Sequence, residues 1–362
     1  MHRTVDIGSD NIARVAPRHH TVPQVYLRNF ANAAGQVALV NRDDLTCCLV
    51  TAVRKACAEV GFYRLDPETL ADNDGQPVDP EMIERHLSQF ETTAAPGIHK
   101  LVTTGLKDLT RVDWYHLINF IALQTVRGPR FREDLAATGT QALRVHLGES
   151  VTDDMIRDWL SDRGDPATDA DVAAFREGLL GANRPRLVPS QEVAIREGLS
   201  LALGALGERL ASMEWSVIDA VAASVLTSDE PVCWWSPGNG PIGHATARVV
   251  WIPVNRKRIL QLRDRTVEAA SLGLPDQESE GGADEMVSFV NGLVATQATR
   301  WIVHHPDDSP LEGVTVGPRT AWADELVAVE ETQAERREVW VHRRLPVQPQ
   351  ESATKSAGSE QD

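Results

Sequence analysis

The chain has 362 residues, of which 42% are hydrophobic and 24% are charged, a composition typical of a globular protein. Its formal net charge of −16 argues against broad binding to nucleic acid or to an anionic membrane surface, because such binding needs an excess of Lys and Arg. The length is sufficient for one large domain or for two domains of medium size.

The sequence contains no recognisable targeting or membrane-spanning segment. A run of about 18 apolar residues is absent, and the N-terminal region lacks the basic start and apolar core of a secretory signal. The cysteines form no C-x-x-C pair, so their spacing does not fit a zinc ribbon or a thioredoxin site. We therefore expect free thiols in a reducing compartment, a cytoplasmic location and no membrane partner.

The N-terminal region is predicted to contain a short helix followed by strands. Residues 1–18 show no periodic pattern and are expected to form a loose leader. Pro23 fits the first turn of a helix that runs through Phe30. Residues 36–41 alternate in polarity as a half-buried strand does, and a further short strand is expected at 61–65.

From Pro80 the apolar residues recur with helical spacing. The segment 113–127 is apolar on nearly all sides, which predicts a central buried helix. Together the predicted helices form a helical insertion over about residues 80–213. They cover residues 80–95, 113–127, 130–147, 152–161, 169–180 and 190–212.

The pattern returns to strands at Glu214. Strands at both ends of the chain flank the helices without βαβ alternation, so the sequence predicts an α+β fold. We expect a mixed or antiparallel sheet built from N- and C-terminal strands, with the helical insertion, in one domain over residues 19–345. Residues 346–362 are predicted to be disordered. The expected C-terminal elements are a hairpin over 215–220 and 223–227, strands over 247–254, 258–262 and 300–304, and a helix over 284–298.

The candidate site begins with two adjacent histidines, His19 and His20, just before the Pro23 helix. Imidazole groups serve as general acids or bases and as metal ligands near neutral pH. The alternative is that both are loop histidines that hold the N-terminal segment in place, and the run itself leaves both interpretations open. Tyr26 and Arg28 follow in the same run.

Helical spacing places further polar residues close to apolar helix faces. Glu91 follows Leu87 and Phe90, so it is expected to be partly buried and to need a cationic partner. Gln124 and Arg127 share one side of the next predicted helix, at its C-terminal end. These groups either support a structural network or line a pocket, and both interpretations remain open.

Asp229 follows an apolar strand and enters a turn that contains Pro231. Catalytic and metal-binding carboxylates are often presented from such loops, although an Asp in a turn also hydrogen-bonds its own backbone. No metal-ligand set is assigned, but a divalent metal could be a cofactor of these groups. We predict as catalytic residues His19, His20, Glu91 and Asp229, and as substrate-binding residues Tyr26, Arg28, Gln124 and Arg127.

Six segments taken in order resemble an uncharacterised bacterial family, domain of unknown function 4238. The resemblance covers most of residues 18–305, and its specific parts are the HHxVPQxYLRxF run and the TSDxPV turn. In the family this turn often reads Ser-Asp-Asn-Pro, so Glu230 is a departure. The resemblance implies no established activity, but it implies that the four segments that carry the candidate residues converge on one site. The six segments are HHTVPQVYLRNF, QVALVNR, FYRL, ERHLSQFE, QTVRGPR and LTSDEPV.

Two functions of different classes fit these residues. The first is a hydrolase, such as a phosphodiesterase or nuclease, in which His19 or His20 acts as base or metal ligand and Arg127 stabilises negative charge. The second is a non-enzymatic binding or regulatory protein, for example one related to defence or to toxins, whose polar network is structural. The mixture of His, carboxylate and Arg slightly favours the hydrolase. Nucleic-acid binding without catalysis is a weaker third alternative, which the net charge disfavours.

Overall fold

The computed structural model describes residues 17–66, 76, 78–181, 185–238, 242–331 and 336–347. Most of the predicted leader and tail therefore lies outside the described residues. Arg18, the last residue of the predicted leader, already begins a strand.

The described elements follow the predicted order of strands, helices and strands. The strands are β1 (Arg18–His20), β2 (Gln36–Asn41), β3 (Asp44–Ala52), β4 (Ala58–Val60), β5 (Glu214–Asp219), β6 (Thr227–Ser228), β7 (Cys233–Trp235), β8 (Val249–Asn255), β9 (Arg258–Arg263), β10 (Trp301–His304), β11 (Thr320–Glu331) and β12 (Arg336–Pro346). The α-helices are α1 (Gln24–Leu27), α2 (Met82–Thr103), α3 (Arg111–Val126), α4 (Pro129–Ser150), α5 (Asp153–Asp162), α6 (Asp169–Leu180), α7 (Gln191–Leu201), α8 (Gly207–Ser212) and α9 (Gly282–Gln297).

One antiparallel sheet joins the two ends of the chain, in the strand order β3-β2-β10-β6. β10 pairs with β2 from Trp301 opposite Asn41 to His304 opposite Ala38, and its other edge pairs with β6. The inner strands are apolar and buried on both faces, so the half-buried strand predicted over residues 36–41 is wrong in burial: residues 37–40 are all buried because β2 lies between β3 and β10. The predicted α+β class, with a sheet assembled from N- and C-terminal strands around a helical insertion, is confirmed.

A second antiparallel sheet, in the order β5-β9-β8-β7, is formed by residues 214–263 alone. Its inner strands β8 and β9 are buried along most of their length, and Trp251 and Leu260 are fully buried. One continuous cluster of buried apolar side chains takes in residues of both sheets and of α3.

The predicted hairpin over 215–220 and 223–227 is wrong. β5 pairs with β9 instead, and the second strand is reduced to the two residues of β6. The carboxylate of Asp284 accepts hydrogen bonds from the N–H groups of residues 221–223. These bonds remove the donors that a strand ladder would use.

Three further local features differ from the sequence prediction. Residues 61–65 form a turn in place of a strand, with Gly61 at a φ of 64°. The helix predicted over 190–212 is interrupted by a π-helical turn at Ala202–Leu206, where Gly204 leaves helical geometry. The long antiparallel pair β11–β12 has no counterpart in the prediction.

The central helix α3 positions the candidate site. Its N-terminus has a capping box: the Thr110 hydroxyl accepts the Asp113 N–H at 3.2 Å, and the Asp113 carboxylate accepts the Thr110 N–H at 2.8 Å. Side chains on most sides of the helix are buried, Leu117 among them, as predicted. The helix ends before Gly128 and Pro129 because proline cannot continue it, and Pro129 then begins α4.

Candidate functional site

Arg127 lies directly after α3 and joins the N-terminal run to α2. Its Nη2 donates to the carbonyl oxygen of His20 at 2.7 Å, and its Nη1 donates to Glu91 Oε1 at 2.9 Å. Its Nε donates to the Tyr63 hydroxyl at 3.3 Å, and this hydroxyl donates to the carbonyl oxygen of Arg127 at 2.7 Å. All three guanidinium nitrogens therefore have protein acceptors. We call Arg127, His19, His20, Glu91 and Tyr63 the His19–Arg127 network.

The network keeps one buried positive charge. Burial acts to lower the pKa of Arg127, but its interactions with Tyr63 and Glu91 outweigh burial and raise the pKa. Burial raises the pKa of Tyr63, so the hydroxyl keeps its proton at neutral pH. Burial also raises the pKa of Glu84, whose Oε2 is buried and has no hydrogen-bond partner among the described residues.

Both ring nitrogens of His19 are hydrogen-bonded to protein groups. Its Nδ1 accepts the Tyr63 N–H at 2.7 Å, so the ring proton is on Nε2, which donates to Glu81 Oε2 at 2.6 Å. The ring stacks on Tyr63 and is 1% exposed. His20 is half-buried, and its Nε2 lies 3.2 Å from the carbonyl oxygen of Arg54. Burial lowers the pKa of His20, so its imidazole is neutral at pH 7.

The space beside the His19–Arg127 network is small. A cavity of about 30 Å³ lies against Arg127 and Tyr63 and is otherwise lined mainly by apolar side chains such as Leu87 and Leu123. This volume is sufficient for one or two water molecules and too small for a substrate.

Asp229 binds a different part of the molecule. Its Oδ1 accepts the N–H of Thr299 at 2.9 Å, and its Oδ2 accepts the N–H groups of Arg300 at 2.7 Å and Trp301 at 3.0 Å. Burial raises the pKa of Asp229 to about 6, against the opposing effect of these hydrogen bonds. The carboxylate thereby holds the loop that enters β10.

Besides Arg127, the residues predicted to bind substrate have three different environments. The Tyr26 hydroxyl donates to a backbone carbonyl of β8 at 2.6 Å and lies 2.7 Å from the Thr227 hydroxyl, from which it must accept. Gln124 Nε2 donates to the carbonyl oxygen of Thr21 at 2.9 Å, whereas its buried Oε1 has no partner among the described residues. Arg28 is exposed, and its side chain bonds to no described residue.

A second and much larger cavity begins at Gln124. Its volume is about 770 Å³, within the range of about 300–1,000 Å³ that small-molecule sites occupy. We call it the Arg130 cavity. Its lining includes Gln124, Arg130, Glu230, Trp234, Trp235 and Trp322.

Glu230 has one hydrogen-bonded and one unpaired carboxyl oxygen in this lining. Its Oε1 accepts the Arg130 N–H at 3.0 Å and the Thr299 hydroxyl at 3.3 Å, whereas its Oε2 bonds to no described residue. The carboxyl group lies against Gly128, where a Cβ would overlap it. Burial, and then Asp229, raise the pKa of Glu230 to about 8, so the carboxyl group is protonated at neutral pH.

The Arg130 side chain is half-buried and mostly unpaired. Its Nη1 donates to the carbonyl oxygen of Gln297 at 3.1 Å, and its two other guanidinium nitrogens donate to no described residue. None of the described carboxylates forms an ion pair with it. Trp234 also has an unpaired group, a buried Nε1 without a hydrogen-bond partner among the described residues.

Some of the residues predicted as site residues lie together in the structure, and others do not. His19, His20, Glu91 and Arg127 lie in one network, whereas Asp229 bonds to the loop before β10. Of the predicted site residues, Gln124 reaches the large cavity. Arg130, Glu230 and Trp234 were not predicted as site residues. A usable signal was present for two of them, because Arg130 and Glu230 are charged residues that directly adjoin a proline, Pro129 and Pro231.

Two further observations concern metals and membranes. Across the described ranges, no three His, Cys, Asp or Glu side chains are grouped closely enough to hold a metal ion. None of the described helices combines the length and the apolar character needed to cross a membrane.

Comparisons with known proteins identify the family without an activity. A family model described as "Protein of unknown function (DUF4238)" matches residues 18–308, which confirms the resemblance seen in the sequence. The comparisons with curated proteins and with solved structures give no match. The chain therefore belongs to the DUF4238 family.

Proposed function

We propose that the protein binds a small organic molecule in the Arg130 cavity and that the His19–Arg127 network is the scaffold for one of its walls. The observation that carries this proposal is the difference in volume between the two cavities. The network adjoins a cavity of about 30 Å³, whereas the Arg130 cavity has about 770 Å³. A ligand of drug size needs a volume of the second kind.

The network and the cavity are coupled through the corner between α3 and α4. Arg127 binds the N-terminal run at this corner, and Gln124, one turn earlier, binds the same run and lines the cavity. The first turn of α4 follows directly, and from it Arg130 and Phe131 line the cavity. The hydrogen bonds of Arg127 and Gln124 to the N-terminal run thus fix this corner and, with it, the position of Arg130.

The proposal is tested by filling the cavity. Leu135 lies on α4 in the cavity lining, so Leu135→Trp is expected to occupy ligand space. The measurement is a fluorescence titration with N-phenyl-1-naphthylamine, a neutral apolar probe. We expect saturable binding by the wild-type chain and binding weakened about tenfold or more in the variant.

The matched control is Leu143→Trp, a substitution on the same helix at a position that is 37% exposed and outside the cavity lining. It should bind the probe as the wild type does. Equal binding by Leu135→Trp and Leu143→Trp would overturn the proposal.

Hydrolysis in the Arg130 cavity is a second candidate function. The observation that favours it is the protonated Glu230 beside Arg130, since a carboxylic acid can protonate a leaving group while a guanidinium stabilises negative charge. For a phosphodiester, water would add to phosphorus, the ester P–O bond would break, and the leaving oxygen would take the Glu230 proton. A proton from the attacking water would then restore the acid.

This second candidate differs from the hydrolase predicted from the sequence, in which His19 or His20 is the base. Both ring nitrogens of His19 are bonded to protein groups, which supports a scaffold role. The test is release of phenol from diphenyl phosphate by the wild type, Glu230→Gln and His20→Ala, because phenoxide is basic enough to need a proton as it leaves. Activity lost in Glu230→Gln alone supports the cavity mechanism, and activity lost in His20→Ala alone supports the predicted one.

We also propose a cytoplasmic location. Cys47 and Cys48 are free and exposed, and exposed free thiols persist best in a reducing compartment. Cys57 and Cys233 are free and buried, and burial raises the pKa of Cys233 to about 12, which keeps it an unreactive thiol.

A further inference from the structure

We infer that the ligand of the Arg130 cavity is an organic anion, with its acidic group bound by the Arg130 guanidinium and a planar apolar part packed against Trp234. This inference rests on the proposed function, because it names the class of molecule that the cavity takes. Four features of the lining carry it: its charge, the unused donors of Arg130, the Glu230 carboxyl group and the tryptophan side chains.

The charge of the lining is opposite to that of the whole protein. Arg130 and Arg344 line the cavity; Asp134 and Glu133 pair with Arg344, whereas no described carboxylate pairs with Arg130 and the Glu230 carboxyl group is protonated at neutral pH. Asp134 is already engaged with Arg344, with a separation of 2.6 Å. A cationic concavity with apolar walls concentrates anions, and this cavity does so within a chain whose net charge is −16.

The Arg130 side chain is held in place and still has donors to offer. Gln297 accepts from its Nη1 at 3.1 Å, and the Gln297 side-chain amide donates to the carbonyl oxygen of Trp234 at 3.2 Å. These two hydrogen bonds hold the guanidinium close to β7, the strand that contains Trp234. A planar guanidinium with unused N–H groups matches the two oxygens of a carboxylate or phosphate group.

The Glu230 carboxyl group provides a second donor. Its Oε1 already accepts two hydrogen bonds, so the proton of the neutral acid is on Oε2. Oε2 bonds to no described residue and can donate to the acidic group of a ligand. The charged or titratable groups that face Glu230 are Arg130, Asp229 and the Cys57 thiol.

Tryptophan side chains form part of the apolar lining. Trp235 is fixed by ring contacts with Trp251 at 5.6 Å and Phe289 at 5.8 Å. Trp234 is half-buried, and its ring pairs with no other aromatic ring among the described residues. A half-buried indole without an aromatic neighbour is suited to stack on a planar ligand.

The test compares two fluorescent probes that share an anilinonaphthalene-type ring system and differ in charge. 8-Anilinonaphthalene-1-sulfonate is an anion, and N-phenyl-1-naphthylamine is neutral. In titrations of the full chain, Arg130→Met should weaken binding of the anion about tenfold or more and binding of the neutral probe less than about twofold, because only the anion uses the guanidinium. Trp234→Ala should weaken binding of both probes.

The matched control is Arg196→Met, because the Arg196 side chain is 72% exposed and lies on α7 outside the cavity lining. It should leave both affinities unchanged. Arg130→Lys is a second variant that keeps the charge without the planar fork, and we expect an intermediate loss of anion binding.

The outcomes separate this inference from the proposed function. Failure of the wild type to bind either probe saturably would overturn the proposed function. Wild-type binding of the neutral probe, with equal anion affinity in the wild type, Arg130→Met and Arg130→Lys, would overturn the inference alone. Displacement of the bound anion by phenyl phosphate or by benzoate supports the inference, and the stronger competitor identifies the acidic group.

Discussion

Arg127 and Arg130 are three residues apart, on either side of the break between α3 and α4, and have opposite surroundings. All three guanidinium nitrogens of Arg127 donate to protein acceptors, whereas Arg130 uses one. The adjoining cavities have about 30 Å³ and about 770 Å³. A buried arginine whose donors are all used is part of the fold, whereas one with unused donors beside a large cavity can bind a ligand.

The adjacent carboxyl groups of Asp229 and Glu230 repeat this contrast. Asp229 accepts three backbone N–H groups, which favour its ionised form and limit its pKa to about 6. Glu230 accepts one N–H and one hydroxyl, and its pKa is about 8. Both carboxyl groups bond to Thr299, but Asp229 also binds the next two N–H groups before β10, whereas Glu230 keeps an oxygen that bonds to no described residue, so one turn serves both the fold and the cavity.

The largest expected effect is on the stability of Arg127→Met. This substitution leaves buried acceptors of Glu91, Tyr63 and His20 without their donor and should lower the free energy of unfolding by about 3–5 kcal/mol. Arg130→Met removes one hydrogen bond to a neutral carbonyl and should lower it by about 1 kcal/mol. Urea unfolding of the two variants measures this difference. Equal losses of unfolding free energy would show that Arg127 and Arg130 contribute equally to the fold.

The ion pair between Arg127 and Glu91 shows what could be predicted from the sequence. The apolar neighbours of Glu91 indicated partial burial and hence a need for a cation, and the 2.9 Å contact with Arg127 confirms this prediction. The helical period also predicted α3, because a segment that is apolar on all sides must be buried whichever elements surround it.

The unpaired state of Arg130 could not be predicted in this way. It depends on which carboxyl groups the fold brings near and on whether burial keeps Glu230 protonated, and neither is encoded in local periodicity. The wrong hairpin after Glu214 has a similar cause, since Asp284, about sixty residues away, takes the N–H groups that the second strand would have used. Both outcomes depend on contacts between distant segments.

The second prediction concerns the pH dependence of stability and uses Glu230→Gln. Between the usual glutamate pKa of 4.5 and the folded value of about 8, the folded state holds one proton more than the unfolded state. Raising the pH therefore destabilises the folded state by about 1.4 kcal/mol per pH unit, or about 3 kcal/mol from pH 5.5 to pH 7.5. Urea unfolding should show this added slope in the wild type relative to Glu230→Gln. Parallel pH profiles would show that Glu230 is ionised in the folded protein.

The smallest expected effect is on the pH dependence of ligand binding. Above about pH 8 the Glu230 carboxyl group loses its proton and becomes an anion beside Arg130, so it competes with an anionic ligand for the guanidinium. Affinity for 8-anilinonaphthalene-1-sulfonate should fall about tenfold between pH 7 and pH 9, which corresponds to about 1.4 kcal/mol. Glu230→Gln should bind the anion with little change over this range, and the neutral probe should show no such dependence with either protein. A fall in anion affinity of the same size in Glu230→Gln would assign the titration to another group and remove Glu230 from the binding site.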